Sequence, residues 1–194
     1  MLPQHAHADA STTGPARSLE VAAIVLAALA AGGSVILSVG LGLKACPLCF
    51  YQRSFVFGVA GVLAMGFLAG ARPGLPSLLA LPLGAAGFGV AVFHNYLELA
   101  GKLECPQGLG GLGTAPQQSI IATGLVLALL VGGASVGGQA ASSGRARNIA
   151  AALLIGAVAA ALGIASAPPL PSAPAKPYET PFDMCRPPFR LPPS

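Results

Sequence analysis

The sequence predicts an all-α membrane protein, and three observations predict it. Apolar residues make up 54% of the 194 residues and charged residues only 8%. A soluble domain carries roughly a quarter charged residues, so this chain has too few to cover a surface facing water. Five apolar runs are each long enough to cross about 30 Å of hydrocarbon at about 1.5 Å per residue. Basic residues stand at the ends of these runs rather than inside them, as membrane flanks do.

The runs are Leu19–Leu43, Ser54–Ala71, Gly74–Phe93, Ser119–Gly138 and Asn148–Ala167. Inside lipid the backbone must satisfy its own hydrogen bonds, so each is expected to be a helix. The first run exceeds the length of a secretory h-region and reads as a retained helix. Residues 1–18, with His5, His7 and Asp9, read as a disordered leader. Residues 19–167 form the transmembrane helical domain. Gly66 with Gly70, and Gly133 with Gly137, read as close-packing pairs. Pro76 and Pro82 are expected to mark the start of the third helix or kink it. Ten of the 28 residues from Ala167 to Ser194 are proline, so the tail, 168–194, is expected to be extended.

Net charge is +4, carried by ten scattered Lys and Arg residues. They form no stripe and no aromatic platform accompanies them, which argues against nucleic acid. The expected partner is membrane lipid.

The chain has four cysteines, Cys46, Cys49, Cys105 and Cys185. Each follows an odd number of crossings, so all four thiols fall on one side of the membrane whichever way the chain inserts. Arg17, Arg72, Arg145 and Arg147 flank the opposite ends and favour an inside amino terminus. Paired cysteines persist on an oxidising side, which points the same way. The four thiols are therefore placed outside, in a periplasm-like space.

Cys46-Pro47-Leu48-Cys49 carries the chemistry. At the start of a helix, the macrodipole favours a thiolate on Cys46, and Pro47 suits the first helical position. A lowered thiol pKa makes a cysteine reactive. Arg53 lies four residues after Cys49, on the same face, where a guanidinium can stabilise a thiolate or donate to an electron acceptor. His94 is a further candidate, for contact with an acceptor or for tuning the site. Tyr51 and Tyr96 read as interface anchors, and Glu98 and Glu104 as solvated. Four thiolates could instead serve a metal-binding or transporter subunit. Against zinc, Cys105 and Cys185 stand alone rather than as a second short knuckle.

Cys46-Pro-Leu-Cys-Phe-Tyr-Gln-Arg53, after one apolar run and opening the next, resembles the disulfide bond formation protein B (DsbB) family, over residues 19–140. The resemblance implies a four-helix transmembrane bundle, to which this chain adds a fifth transmembrane helix. It implies a quinone-dependent protein disulfide oxidoreductase of the bacterial inner membrane, with its redox cysteines on the periplasmic side. Such a protein reoxidises a soluble thioredoxin-fold (DsbA-like) thiol oxidase and passes electrons to the respiratory quinone pool, as ubiquinone or menaquinone. By the match, Cys46 exchanges with a second pair and Cys49 faces the quinone, with Arg53 and His94 as quinone-binding residues and Cys105 joining the partner. The vitamin K epoxide reductase-like family does related chemistry, but there the second pair precedes the Cys-x-x-Cys.

This chain departs from the family in one respect. The loop 94–118 holds only Cys105. The remaining candidate is Cys185, and about 19 residues of tail at roughly 3.1 Å each reach roughly 60 Å. The departure leaves two expectations: Cys105 pairs with Cys185, or Cys105 pairs only with the partner. In either case the expected catalytic residues are Cys46, Cys49, Cys105 and Cys185, with no metal.

Overall fold

The computed structural model describes residues 10–137, 142–170 and, in the tail, 172–174, 176–180 and 182–189. Five α-helices account for most of them: α1 (Ala10–Val35), α2 (Pro47–Leu68), α3 (Leu75–Leu99), α4 (Ala115–Val136) and α5 (Ser142–Ser166). All five are long and apolar enough to cross a membrane. No strand occurs among the described residues. The chain is thus a multi-pass, all-α membrane protein.

The helices begin and end where local chemistry dictates. A five-residue π-helical turn, Ile36–Gly40, closes α1, three residues short of the expected end at Leu43. At its other end α1 reaches back to Ala10 and takes in residues 10–18 of the expected leader. Residues 1–9 lie outside the described residues, as does Gly138. Pro47 starts α2 seven residues before Ser54, because proline at the first helical position loses no hydrogen bond. The third helix runs six residues beyond Phe93 and ends at Leu99, so His94 stands inside it rather than in the loop. Pro76 occupies its first turn and Pro82 its interior. Thr114 and Gln117 form a reciprocal capping box that starts α4 four residues before Ser119.

Helix α3 is the centre of the bundle. It packs against α2, α4 and α5, while α1 closes the opposite side against α2 and α4. Small residues allow α1 to approach: Ala16, Ala23, Ala27 and Ala31 are buried on one face. Glu20 shares that face, buried, and accepts hydrogen bonds from the Gly74 N–H at 2.7 Å and from Arg17 at 3.2 Å. It thereby caps the start of α3. Gly74 has φ 89° and a virtual Cβ there would meet Gly137 Cα at 2.6 Å, so both conformation and space require glycine. Gly137 thus belongs to a close α3–α4 approach. Gly66 makes another, against Pro76.

The large apolar side chains Leu29, Leu154 and Leu162 are each about two-thirds exposed, at 68%, 66% and 65%. Outward-facing leucines of this kind are what lipid solvates and water does not. The interior divides into two clusters. One, around Val59, Leu63, Leu81 and Leu130, fills the middle of the bundle. The other, around Leu48, Val90, Leu97 and Leu103, contains Cys46, Cys105 and Cys185. The tail does not project away from the protein. It returns over this end of the bundle and buries Cys185.

Candidate redox site

Helix α2 builds the first cysteine pair by itself. Cys46 is its N-cap, with extended backbone, and its sulfur accepts the Cys49 N–H at 3.3 Å. The sulfur so occupies the place of a capping oxygen, at the positive end of the helix. Pro47 follows at the first position. The two sulfurs lie 2.7 Å apart as free thiols. The Cys46 thiol is lowered to about 5 from its ordinary value. The Cys49 thiol donating onto it is the main cause; burial opposes the shift, and a hydrogen bond from His94 adds to it. Cys46 is therefore a thiolate at neutral pH.

The second pair is a disulfide between Cys105 and Cys185, 80 residues apart. Contacts on both sides of Cys185 bring the tail to it. Glu104 and Arg186 exchange backbone hydrogen bonds of 2.8 and 3.0 Å, each donating to the other's carbonyl. Upstream, the Lys44 N–H donates to the Asp183 carbonyl at 2.8 Å, and the Lys44 ammonium lies 2.9 Å from the Asp183 carboxylate. That ammonium's hydrogen bond holds the Asp183 carboxyl below the usual carboxylate range. The Arg186 guanidinium stacks 3.9 Å over the Tyr178 ring and 4.9 Å over Phe182.

Helix α3 brings His94 between the two pairs. The ring is fully buried, and Nε2 lies 3.6 Å from the Cys105 sulfur and 3.9 Å from the Cys46 sulfur. The sulfurs of Cys46, Cys49 and Cys185 and a His94 ring nitrogen all lie within 4.8 Å of one another. These are atoms of metal-ligand type, but the Cys185 sulfur is bonded to Cys105 and is no thiolate.

Two openings reach the disulfide from different sides. A cavity of about 200 Å³ between α1, α2 and α4 is lined by Leu29, Ser34, Cys49, Arg53, Ser119 and Cys185, among others, and also by His94. An outer groove is lined by Glu98, Leu103, Glu104, Cys105, Phe182 and Pro188. Cys185 thus faces the cavity and Cys105 the groove. Arg53 is held in the cavity wall by the end of α1. Its Nε donates to Ser34 Oγ at 2.9 Å, and one Nη to the Ser34 carbonyl at 2.9 Å and to Ser38 Oγ at 2.6 Å. The other Nη has no protein hydrogen bond among the described residues.

All six expected site residues, Cys46, Cys49, Arg53, His94, Cys105 and Cys185, meet at one end of the bundle. Glu98, expected to be solvated, instead accepts a 2.7 Å hydrogen bond from the Thr114 hydroxyl. Sequence reasoning missed Gln52, Ser119, Ser34 and Ser38. Ser34 and Ser38 carry one signal, as polar residues inside an apolar run; Gln52 and Ser119 stand outside or at the edge of a run and carry none.

Fold and site together define a helical membrane protein with a dithiol and a disulfide in contact. The family model "Disulfide bond formation protein DsbB" matches residues 16–123, and the chain belongs to that family. A probable disulfide formation protein of Chlamydia trachomatis serovar D is 32% identical over 108 residues, covering 50% of this chain and 78% of the relative. Disulfide bond formation protein B of Dechloromonas aromatica (strain RCB) is 40% identical over 58 residues. That match covers 30% of this chain and spans only 35% of the relative's length. No solved structure matches the chain. Membership makes the protein an oxidoreductase of disulfide bond formation.

Proposed function

We propose that the protein oxidises a soluble thioredoxin-fold (DsbA-like) dithiol protein and delivers the electrons to ubiquinone or menaquinone. It does so in the bacterial inner membrane with the cysteines on the periplasmic side. The observation that carries this reading is the unbroken run of four sulfurs. It leads from the outer groove at Cys105, through Cys185 and Cys46, to Cys49 at the cavity wall.

The exchange balances as follows. With both pairs oxidised, a partner thiolate attacks Cys105, and the Cys105–Cys185 bond breaks with Cys185 leaving as thiolate. Cys185 attacks Cys46, and Cys49 leaves as thiolate. The partner's second thiolate attacks its own sulfur in the mixed disulfide, so the partner departs oxidised and Cys105 is released as thiolate. Cys105 then attacks Cys185, which restores their bond and leaves Cys46 as thiolate. Two electrons have moved from the partner to Cys46 and Cys49. The sequence ends with one closed pair, Cys105–Cys185, and one open pair, Cys46 and Cys49. Each sulfur attacks a neighbour already in place, which removes most of the entropic cost of exchange.

A quinone fits the residues of the cavity. Its walls are mostly apolar, as a flat ring and isoprenoid chain require, and Arg53 offers a donor for a carbonyl oxygen. A bound quinone supplies the two-electron acceptor. Cys49 borders the cavity and holds the electrons to be passed on; Arg53 orients the acceptor. Both His94 nitrogens face protein atoms, so His94 would contact a quinone only through its ring.

The test uses the full chain in lipid vesicles with a reduced thioredoxin-fold protein and decylubiquinone or a menaquinone analogue. One quinone reduced per partner disulfide, lost in Cys49→Ala, is expected. Partner oxidation without quinone reduction would overturn the quinone role. Stoichiometric zinc with no quinone reduction would favour a metal-binding subunit instead. Thiol labelling from each side of sealed vesicles checks the orientation.

A further inference from the structure

His94 offers a ring nitrogen to each of two partners. Nε2 faces the Cys46 and Cys105 sulfurs, and Nδ1 lies 3.3 Å from the Gln52 amide nitrogen. Which nitrogen carries the proton decides whether the sulfurs meet a donor or a lone pair. Gln52 decides it, provided the orientation of its own amide is known. Amide oxygen and nitrogen must be told apart by their partners.

The placement of the two amide atoms makes the distinction. Gln52 Oε1 lies 2.6 Å from Ser119 Oγ, and Gln52 Nε2 is the atom that faces His94. The Ser119 hydroxyl therefore donates to the Gln52 oxygen, and the amide NH₂ points at His94. An N–H needs an acceptor, so Nδ1 is bare and the neutral ring is protonated on Nε2. Gln52 is buried and His94 fully so, and both polar contacts of the amide are made to protein side chains. Ser119 belongs to α4, Gln52 to α2 and His94 to α3, so three helices fix one proton.

We infer that Gln52 and Ser119 are positioning residues that keep His94 in its Nε2–H form, so that one ring donor serves the Cys46 and Cys105 thiolates in turn. The inference rests on the proposed exchange and deepens it. Cys105 carries negative charge when the partner departs, and Cys46 carries it when the Cys185–Cys46 bond breaks. One N–H reaches toward both sulfurs. The opposite tautomer would aim a lone pair at each thiolate. The same protonation removes Nε2 as a metal ligand.

Other charges near Cys46 must be kept apart in the test. Cys49 faces it from α2 and His94 from α3. Arg53 lies further along α2, and the Lys44–Asp183 ion pair lies just before the motif. The disulfide sulfurs of Cys105 and Cys185 do not titrate.

The experiment uses the full chain in nanodiscs, ¹⁵N-labelled at histidine, with Cys46–Cys49 reduced. His94 is separated from His5 and His7 by comparison with His94→Gln. The ring is expected as the Nε2–H tautomer. Gln52→Leu is expected to mix the tautomers and to raise the pH midpoint of Cys46 alkylation by about one unit, the loss of one charge-assisted hydrogen bond. Ser119→Ala moves both readouts the same way by less, and it carries the test should Gln52→Leu fail to fold. His94→Gln, whose amide donor sits near the Nε2 position, is expected to retain most of the low midpoint, while His94→Ala raises it by about one unit, the Cys49 contribution remaining. An Nδ1–H ring in the unsubstituted protein overturns the inference. So does an unchanged tautomer and midpoint in both Gln52→Leu and Ser119→Ala. Neither readout needs quinone or partner, so failed quinone reduction with these shifts intact counts against the proposed function alone.

Discussion

The two cysteine pairs are made by opposite means. Cys46 and Cys49 are three residues apart, and the first turn of α2 brings their sulfurs together. Cys105 and Cys185 are 80 residues apart and meet only because the tail returns across the bundle. The near pair takes its reactivity from local backbone: a capping position, a helix dipole and a neighbouring thiol. The far pair takes its position from tertiary contacts and faces an outer groove. Reactivity is thus encoded in a short segment, whereas routing, the choice of which sulfur meets which, belongs to the whole fold.

The comparison breaks first at the near pair. Cys46→Ala or Cys49→Ala is expected to lower turnover with any dithiol by about 10³-fold or more, because in the proposed exchange the electrons pass on only through Cys46 and Cys49. Steady-state quinone reduction measures it. Cys185→Ala should separate the pairs. Oxidation of a thioredoxin-fold partner is expected to fall about 10²-fold with the loss of a preplaced sulfur, while oxidation of dithiothreitol, which can attack the near pair directly, falls much less. Equal losses with both reductants would mean that the far pair routes nothing.

A pH titration sharpens the contrast. The Cys46 thiol is lowered to about 5, so the thiolate of the reduced protein persists as pH falls from 9 and is lost only through about pH 5. The sign for stability follows. A folded pKa below the unfolded one favours folding above the unfolded value, and that gain disappears as pH falls through the folded value. Iodoacetamide labelling against pH checks this, and in denaturant the midpoint should return to about 8.5. The smallest effect is expected at the tail clip. Lys44 is 70% exposed, so Lys44→Ala or Asp183→Asn should change partner oxidation by no more than about twofold, an exposed ion pair being weak.

Much of this was legible in the chain. Apolar run length foretold five helices, because in lipid the backbone has few alternatives. The ends of the runs were not legible from hydropathy, since helices continue past the apolar segment wherever caps permit. Pro47 and the Thr114–Gln117 box each start a helix several residues ahead of the apolar stretch. At its other end α3 continues past Phe93 to Leu99, and this keeps His94 within the helix. The side of the membrane shared by all four cysteines followed from counting crossings, and they do meet at one end. Gln52 and Ser119 were not legible, because their role exists only across 42 and 67 residues of chain. No local pattern marks a glutamine as the neighbour of a distant histidine.

The reciprocal backbone bonds between Glu104 and Arg186 have a consequence for a bond that must open in every cycle. They adjoin Cys105 and Cys185 directly, and they do not depend on sulfur. When the disulfide opens, this short ladder remains to keep the tail moored, so the two sulfurs stay at high effective concentration for each other. The linkage can therefore be broken and remade without the tail having to search for its place, much as a latch opens while its hinge stays fastened.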